Sequence, residues 1–181
     1  MEEIPDSEVR AIFETNVFGS LNVVRAALPV LRAQRRGHIV QISSVAGVAG
    51  ASPGLGVYAA TKFAVEGLND GLAREVAHLG IDVTIVEPGM FGTSFAATLG
   101  ITPVEHPDYH ASVEATRERL AGLDPSAYGD PDEAARQIIA AAESATPPLR
   151  LPLGLDAVTA IRAKLTDQLA ALPDCEPVAA G

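Results

Sequence analysis

Apolar residues recur at helical spacing from the start of the chain: Ile12, Phe13, Val17, Leu21, Val24, Leu28 and Leu31 share one face of a long amphipathic helix. Asp6 or Ser7 can cap this helix, and Glu8 suits its first turn. Pro29 removes one backbone donor and is expected to kink it. Arg32, Arg35 and Arg36 sit where the helix dipole favours cations, ahead of a terminating Gly37. The period then changes. His38 to Ser43 is a short β-rich run, and a Gly/Ala/Ser/Pro loop over 45–57 separates it from a second helix running from Tyr58 to about His78. Asp82 to Glu87 reads as the next strand, closed by Pro88-Gly89. Helix, strand, helix, strand with short connections predicts an α/β fold in which helices cover both faces of a parallel sheet.

Beyond Met90 the pattern is irregular. Phe91, Phe95, Leu99, Ile101 and Tyr109 are mixed with Gly, Pro and Thr, and one helix is expected around Ser112 to Leu120. A connection of this length, 90–128, reads as a substrate lid. Asp130-Pro131-Asp132-Glu133 opens another helix, to about Ser144, with proline in the tolerated first turn and acids at the positive end. Pro147-Pro148 stops it. Leu149 to Leu153 can form a short final strand, Asp156 to Leu172 a last helix, and 173–181 a frayed tail.

At 181 residues and 48% hydrophobic content, residues 1–181 are expected to form a single domain with a sizeable core. The formal charge of −10 repels phosphate backbones and anionic lipid, which argues against nucleic-acid and membrane partners. With Cys175 as the only cysteine there is no intrachain disulfide and no CxxC metal pattern, which fits a reducing cytoplasm. The amino terminus lacks the basic and apolar regions of a signal peptide, and no apolar run is long enough to cross a bilayer. A cytoplasmic protein is therefore expected.

Candidate chemistry lies in four residues, Asn16, Ser44, Tyr58 and Lys62, and in the Pro88-Gly89 turn with Thr93 beyond it. Tyr58 and Lys62 are four apart at a helix start, so both side chains project from one face. A free tyrosine has a pKa near ~10 and is a poor acid or base at neutral pH, but a nearby ammonium favours its phenolate. Lys62 supplies that ammonium. Ser44 lies at the exit of the preceding strand, the carboxyl edge where parallel sheets build their sites, and its hydroxyl can hold a substrate oxygen beside the tyrosine. Each feature alone is commonplace. In this order, each placed at a strand exit or helix start, they describe a site that polarises a carbonyl.

These segments resemble the short-chain dehydrogenase/reductase family, and the resemblance covers most of the chain. Glu14-Thr-Asn-Val-Phe-Gly19 is similar to the family's asparagine segment, Ile42-Ser-Ser-Val-Ala-Gly47 to its serine segment, and Val57 to Gly67 to its tyrosine helix. Val86-Glu-Pro-Gly-Met-Phe-Gly-Thr93 resembles its nicotinamide loop. The resemblance implies a three-layer αβα Rossmann-like sheet and hydride transfer between NAD or NADP and an alcohol or ketone, an apolar one given the lid's phenylalanines and leucines. Asn16 would hold the water of a proton relay running to the lysine. Tyr58 would be the general acid in reduction, and Lys62 would bind nicotinamide ribose hydroxyls and lower the tyrosine pKa. Pro88, Gly89, Phe91 and Thr93 would meet the carboxamide end of the cofactor. Family members commonly pair through the helices that match Ser7 to Arg35 and Tyr58 to His78, so a homo-oligomer is implied as well.

The family begins with a strand, a TGxxxGxG turn and a helix, and later carries an NAG-type turn. None of these precedes Met1, so the chain is expected to hold the C-terminal portion of the fold only. A dinucleotide fold binds its cofactor where two half-folds meet. The chain alone is therefore expected to bind NAD(P) poorly and to expose a strand edge prone to pairing. The alternative function is a non-catalytic, truncated member that serves as an interaction module on a full-length relative. Ala49 to Gly56 fits the spacing of a phosphate loop loosely, but it starts well after the strand, includes Pro53, and reads as the connection between serine and tyrosine. His106 and His110 are four apart, yet Pro107 lies between them and no further ligand completes a set, so no metal is expected.

Overall fold

A computed structural model of the protein describes residues 1–94, 104–122, 124 and 128–173. Phe95, Leu99 and Ile101 of the expected lid, and the tail beyond Pro173 with Cys175, lie outside the described residues.

The first amphipathic stretch is not one helix. It forms α1 (Asp6–Phe13) and α2 (Gly19–Gln34), joined by a π-helical turn over Glu14–Phe18. The regular α pattern therefore breaks at that turn, and Pro29 stays inside α2. A π turn takes in one extra residue and changes which face the following side chains present. Here it buries Val17. The end of α2 also differs from expectation: Arg35, at φ 54°, takes the left-handed position rather than Gly37. Gly37 is required for space, since a β-carbon there would lie 2.7 Å from Leu31 Cδ2. The carbonyl of Arg35 packs against Gly80, itself at φ 70°, where a β-carbon would come within 2.6 Å of that oxygen.

The sheet is parallel, in the order β1 (Gly37–Ile42), β2 (Ile81–Pro88), β3 (Arg150–Leu153). Its register pairs Ile39 with Val83 and Val86 with both Ile42 and Leu151. Helix α3 (Gly56–Val76) connects β1 to β2. Among the described residues, α4 (Pro107–Ala121) and α5 (Pro131–Ala142) lie between β2 and β3, and α6 (Leu155–Ala170) follows β3.

Alternation along the strands separates the two faces. On one, Leu72 and Val76 of α3 meet Ile81 and Val83, and Val24, Leu28 and Leu31 of α2 close the cluster with Ile39. On the other, His38 lies between the Thr84 hydroxyl, at 2.9 Å, and the Ala142 carbonyl at the end of α5, at 3.3 Å; Thr84 donates to the Pro148 carbonyl. The result is a Rossmann-like α/β arrangement with helices on both sides of a parallel sheet. Burial from both faces leaves even Thr84 and Glu87 of β2 inside, alongside Ile81, Val83, Ile85 and Val86. Among the described residues no helix is long and apolar enough to cross a membrane.

Ile85, in the middle of β2, has no exposed surface. Ile85→Ala is expected to destabilise the fold by about 2–5 kcal/mol, as large-to-small substitutions in packed cores do. Denaturant unfolding of the variant and the parent checks this; a loss below about 1 kcal/mol would mean that the centre of the sheet is not the packed core.

Candidate active site

The carboxyl ends of the strands place the functional side chains. After Ile42 the ladder continues for one more residue, with the Ser43 amide donating to the Val86 carbonyl at 2.8 Å. Ser43 is buried, and its hydroxyl lies 2.8 Å from the point that a β-carbon on Gly47 would occupy. Ser44 instead caps the short 3-10 turn Val45–Gly47, its Oγ accepting from the Ala46 amide at 3.1 Å. Tyr58 stands in the first turn of α3 and Lys62 one turn on. Lys62 Nζ donates to the Ile42 carbonyl at 3.2 Å and sits 5.8 Å from the centre of the Tyr58 ring.

Opposite them, β2 ends in Pro88-Gly89. The Gly89 amide donates to the Leu153 carbonyl at 2.9 Å, and the Met90 amide donates to Asp156 Oδ2 at 2.8 Å. Gly89 is a glycine because of this contact: a β-carbon there would lie 2.2 Å from the Asp156 carboxylate. Phe91 packs flat on Gly129, whose own β-carbon would be 2.5 Å from the ring, and the 90–92 backbone bonds to Gly129 on both sides. Ser44, Tyr58 and Lys62 thus face Pro88, Gly89, Phe91 and Thr93 across a cavity of about 1050 Å³. Leu55, Leu120 and Ile138 give it apolar walls.

Seven of the eight site residues read from the sequence therefore surround one cavity. The eighth is placed differently. Asn16, in the π turn, donates from Nδ2 to Thr61 Oγ1 at 3.0 Å, and Thr61 in turn donates to the Tyr58 carbonyl at 2.7 Å. Asn16 thus braces the first turn of α3 from behind. Asp156 was not legible as a site residue, because in the sequence it is indistinguishable from an ordinary acid in the first turn of a helix. His106 caps α4, its Nδ1 accepting from the Asp108 amide at 3.3 Å, and its ring meets Tyr109 at 5.7 Å between centroids.

Burial pushes the Tyr58 phenol above its ordinary pKa, and a hydrogen bond with Ser44 opposes the shift. Removal from water outweighs that bond. Burial likewise lowers Lys62, with the nearby Glu66 carboxylate opposing. Tyr58 is accordingly a neutral phenol at neutral pH, held beside the Lys62 side chain and the Ser44 hydroxyl in the lining of the cavity.

Comparison with known proteins agrees with this geometry. A family model described as short chain dehydrogenase matches residues 1–102. Oxidoreductase BOA17 of Botryotinia fuckeliana is 39% identical over 158 residues, covering 87% of this chain and 57% of that protein. A solved short-chain dehydrogenase from Streptomyces avermitilis superposes with a TM-score of 0.81 at 40% identity, covering 94% of this chain and 61% of the other. A gluconate 5-dehydrogenase from Burkholderia cenocepacia, solved with NADP and tartrate, gives 0.68 at 25% identity over 87% of this chain and 59% of its own. The chain belongs to the short-chain dehydrogenase family, and it spans a little over half the length of these relatives.

A spectrophotometric titration of the tyrosinate band tests the electrostatics. The difference between parent and Tyr58→Phe is expected to show a midpoint above that of free tyrosine. Ser44→Ala is expected to raise it further, since the Ser44 hydrogen bond opposes burial. A midpoint below the free value in the unliganded chain would contradict the assignment.

Proposed function

We propose that the protein is an oxidoreductase that transfers hydride between NAD or NADP and an alcohol or ketone, with Tyr58 as the acid or base. The observation that carries this reading is the convergence of Ser44, Tyr58 and Lys62 on one wall of a cavity whose facing wall is the Pro88 to Thr93 loop. The apolar lining from Leu55, Leu120 and Ile138 supports a largely apolar substrate. The described lining residues of the expected lid, Phe91 and Thr93 after β2 and Arg119 and Leu120 of α4, would serve as its cover.

The residues present fit the nicotinamide end of a dinucleotide. Lys62 spends one of its three donors on the Ile42 carbonyl and keeps two for ribose hydroxyls. The loop after β2 lies at the carboxyl edge of the sheet, where such folds bind their ligands, and Pro88, Gly89, Phe91 and Thr93 line the same cavity as Lys62. When bound in reduced form, the cofactor supplies hydride to the carbonyl carbon. The chain supplies the rest. Ser44 Oγ and Tyr58 Oη both reach the carbonyl oxygen, Tyr58 gives it a proton, and the Lys62 ammonium favours the phenolate left behind. In the reverse direction the phenolate takes the alcohol proton. Asn16 would contribute through the water relay to Lys62 that the family resemblance implies. The reading extends to a homo-oligomer paired through α2 and α3, supported by the exposed Val23, Val30, Phe63 and Leu68 on those helices.

Turnover followed at the dihydronicotinamide absorbance, over a series of apolar ketones, tests the chemistry. Tyr58→Phe is expected to lower kcat by about 10²–10⁴-fold, the usual worth of a positioned general acid. Equal turnover by parent and variant would rule out the assigned role. Sedimentation velocity checks the assembly: the parent is expected to run as a dimer or larger and Phe63→Asp to shift toward monomer, and a monomeric parent would refute the pairing.

A further inference from the structure

Away from the cavity, one cation joins three secondary-structure elements. Arg150, on β3, pairs through Nη1 with Glu87 of β2 at 2.8 Å and with Glu66 of α3, and through Nη2 with Asp70 of α3 at 2.6 Å. Glu87 is 1% exposed and Glu66 6%, whereas Arg150 and Asp70 are each 37% exposed on their side chains. Two carboxylates buried this deeply and facing one another are tolerable only around a shared cation. A guanidinium suits the task because its planar fork can hold several oxygens in fixed directions. Burial would lower the Arg150 pKa, but Glu87, Glu66 and Asp70 more than reverse that, so the cation is permanent. Burial pushes Glu87 up, with the Arg150 hydrogen bond opposing and Glu66 and Asp70 adding to the rise.

The network is placed next to the functional groups. Glu66 follows Lys62 by one helical turn, and Glu87 immediately precedes Pro88-Gly89. The same β3–α6 segment holds the far side of that turn, through Leu153 to the Gly89 amide and Asp156 to the Met90 amide. Glu66 uses Oε2 on Arg150, while Oε1 is buried with no hydrogen-bond partner among the described residues.

We propose that Arg150 is a positioning residue: it locks the helix that carries Tyr58 and Lys62 to the strand that runs into Pro88-Gly89, and so sets the spacing between the two walls of the cavity. It also fixes where the Glu66 carboxylate stands relative to Lys62. Arg150 touches neither substrate nor cofactor. The inference rests on the oxidoreductase reading for the purpose of the spacing, but its geometry can be tested without catalysis. The groups around Lys62 are Tyr58 and Glu66 on its own helix and the Ile42 carbonyl from β1, with Arg150, Asp70 and Glu87 beyond Glu66 and Asp156 across the cavity.

The chain contains only two lysines, Lys62 and Lys164, so the carbon-13 signal of labelled lysine Cε reports Lys62 directly once Lys164→Arg has assigned it. Glu66→Gln is expected to move the Lys62 titration midpoint to lower pH, because the Glu66 carboxylate opposes the lowering caused by burial. Arg150→Lys keeps a cation but lacks the fork, and is expected to displace both the Lys62 signal and the Gly89 and Met90 amide signals. Leu72→Ala serves as the control: it loosens the core between α3 and the sheet through an apolar contact instead. The control is expected to lower the melting temperature and leave those signals in place. The proposal falls if Glu66→Gln leaves the Lys62 midpoint unchanged, or if Leu72→Ala moves the reporter signals as much as Arg150→Lys does. Should Arg150→Lys fail to fold, Asp70→Asn, which weakens the more exposed of its links to α3, is expected to displace the same signals to a smaller degree, and unchanged signals would overturn the proposal. None of the readouts uses hydride transfer, so a failure here is distinct from a failure of the Tyr58→Phe test.

Discussion

The structure depends on the pairing of β2 with strands on both of its sides. β2 is the only strand of the three with two neighbours, and from Val83 to Glu87 every residue is buried. Its hydrogen bonds set the register of β1 and β3, and that register aligns the three carboxyl ends at one edge. Ser44 leaves that edge from β1, Pro88-Gly89 from β2, and Asp156 follows β3. A parallel sheet requires a crossover between β1 and β2, and here α3 provides it. The crossover therefore starts at the same edge, so Tyr58 and Lys62 arrive beside Ser44 as a consequence of chain direction. No separate device is needed to bring them together.

Much of this was legible. The four-residue spacing of Tyr58 and Lys62, the strand exits at Ser44 and Pro88-Gly89, and the acidic start of α5 are local signals, readable because each depends on neighbours within about one turn of chain. What escaped was non-local or geometric. Arg150 looked like a single charge in an apolar strand, and its three carboxylate partners lie 63 to 84 residues away in sequence. Asp156 belongs to the site only because β3 runs beside β2. The π turn leaves no mark in an apolar pattern that fits a continuous helix nearly as well. Arg35 in the left-handed position was hidden by the presence of Gly37 two residues on, where glycine serves to clear Leu31.

The site also shows how burial and partnership compete. Tyr58 and Lys62 both lose stabilisation of their charged forms when removed from water, and each keeps one partner that opposes the loss, Ser44 in one case and Glu66 in the other. Both shifts favour the uncharged form, phenol in one case and amine in the other. Moving the balance toward the phenolate requires more positive charge near Tyr58, or a better-held hydroxyl on its oxygen.

Charge distribution bears on the same point. The chain carries a formal −10, which would repel an anionic dinucleotide from most of its surface. The cavity is different: of the charged side chains lining it among the described residues, Lys62, Arg117 and Arg119 are cations and Asp156 is the one acid. Asp156 is engaged by the Met90 amide, Arg117 is partly offset by Glu114 at 3.0 Å, and Arg119 donates to the Ser52 hydroxyl at 2.8 Å. Screening over about 8 Å at physiological salt makes these near charges count for more than the distant surplus of acids. An acidic protein can therefore present a locally cationic cavity.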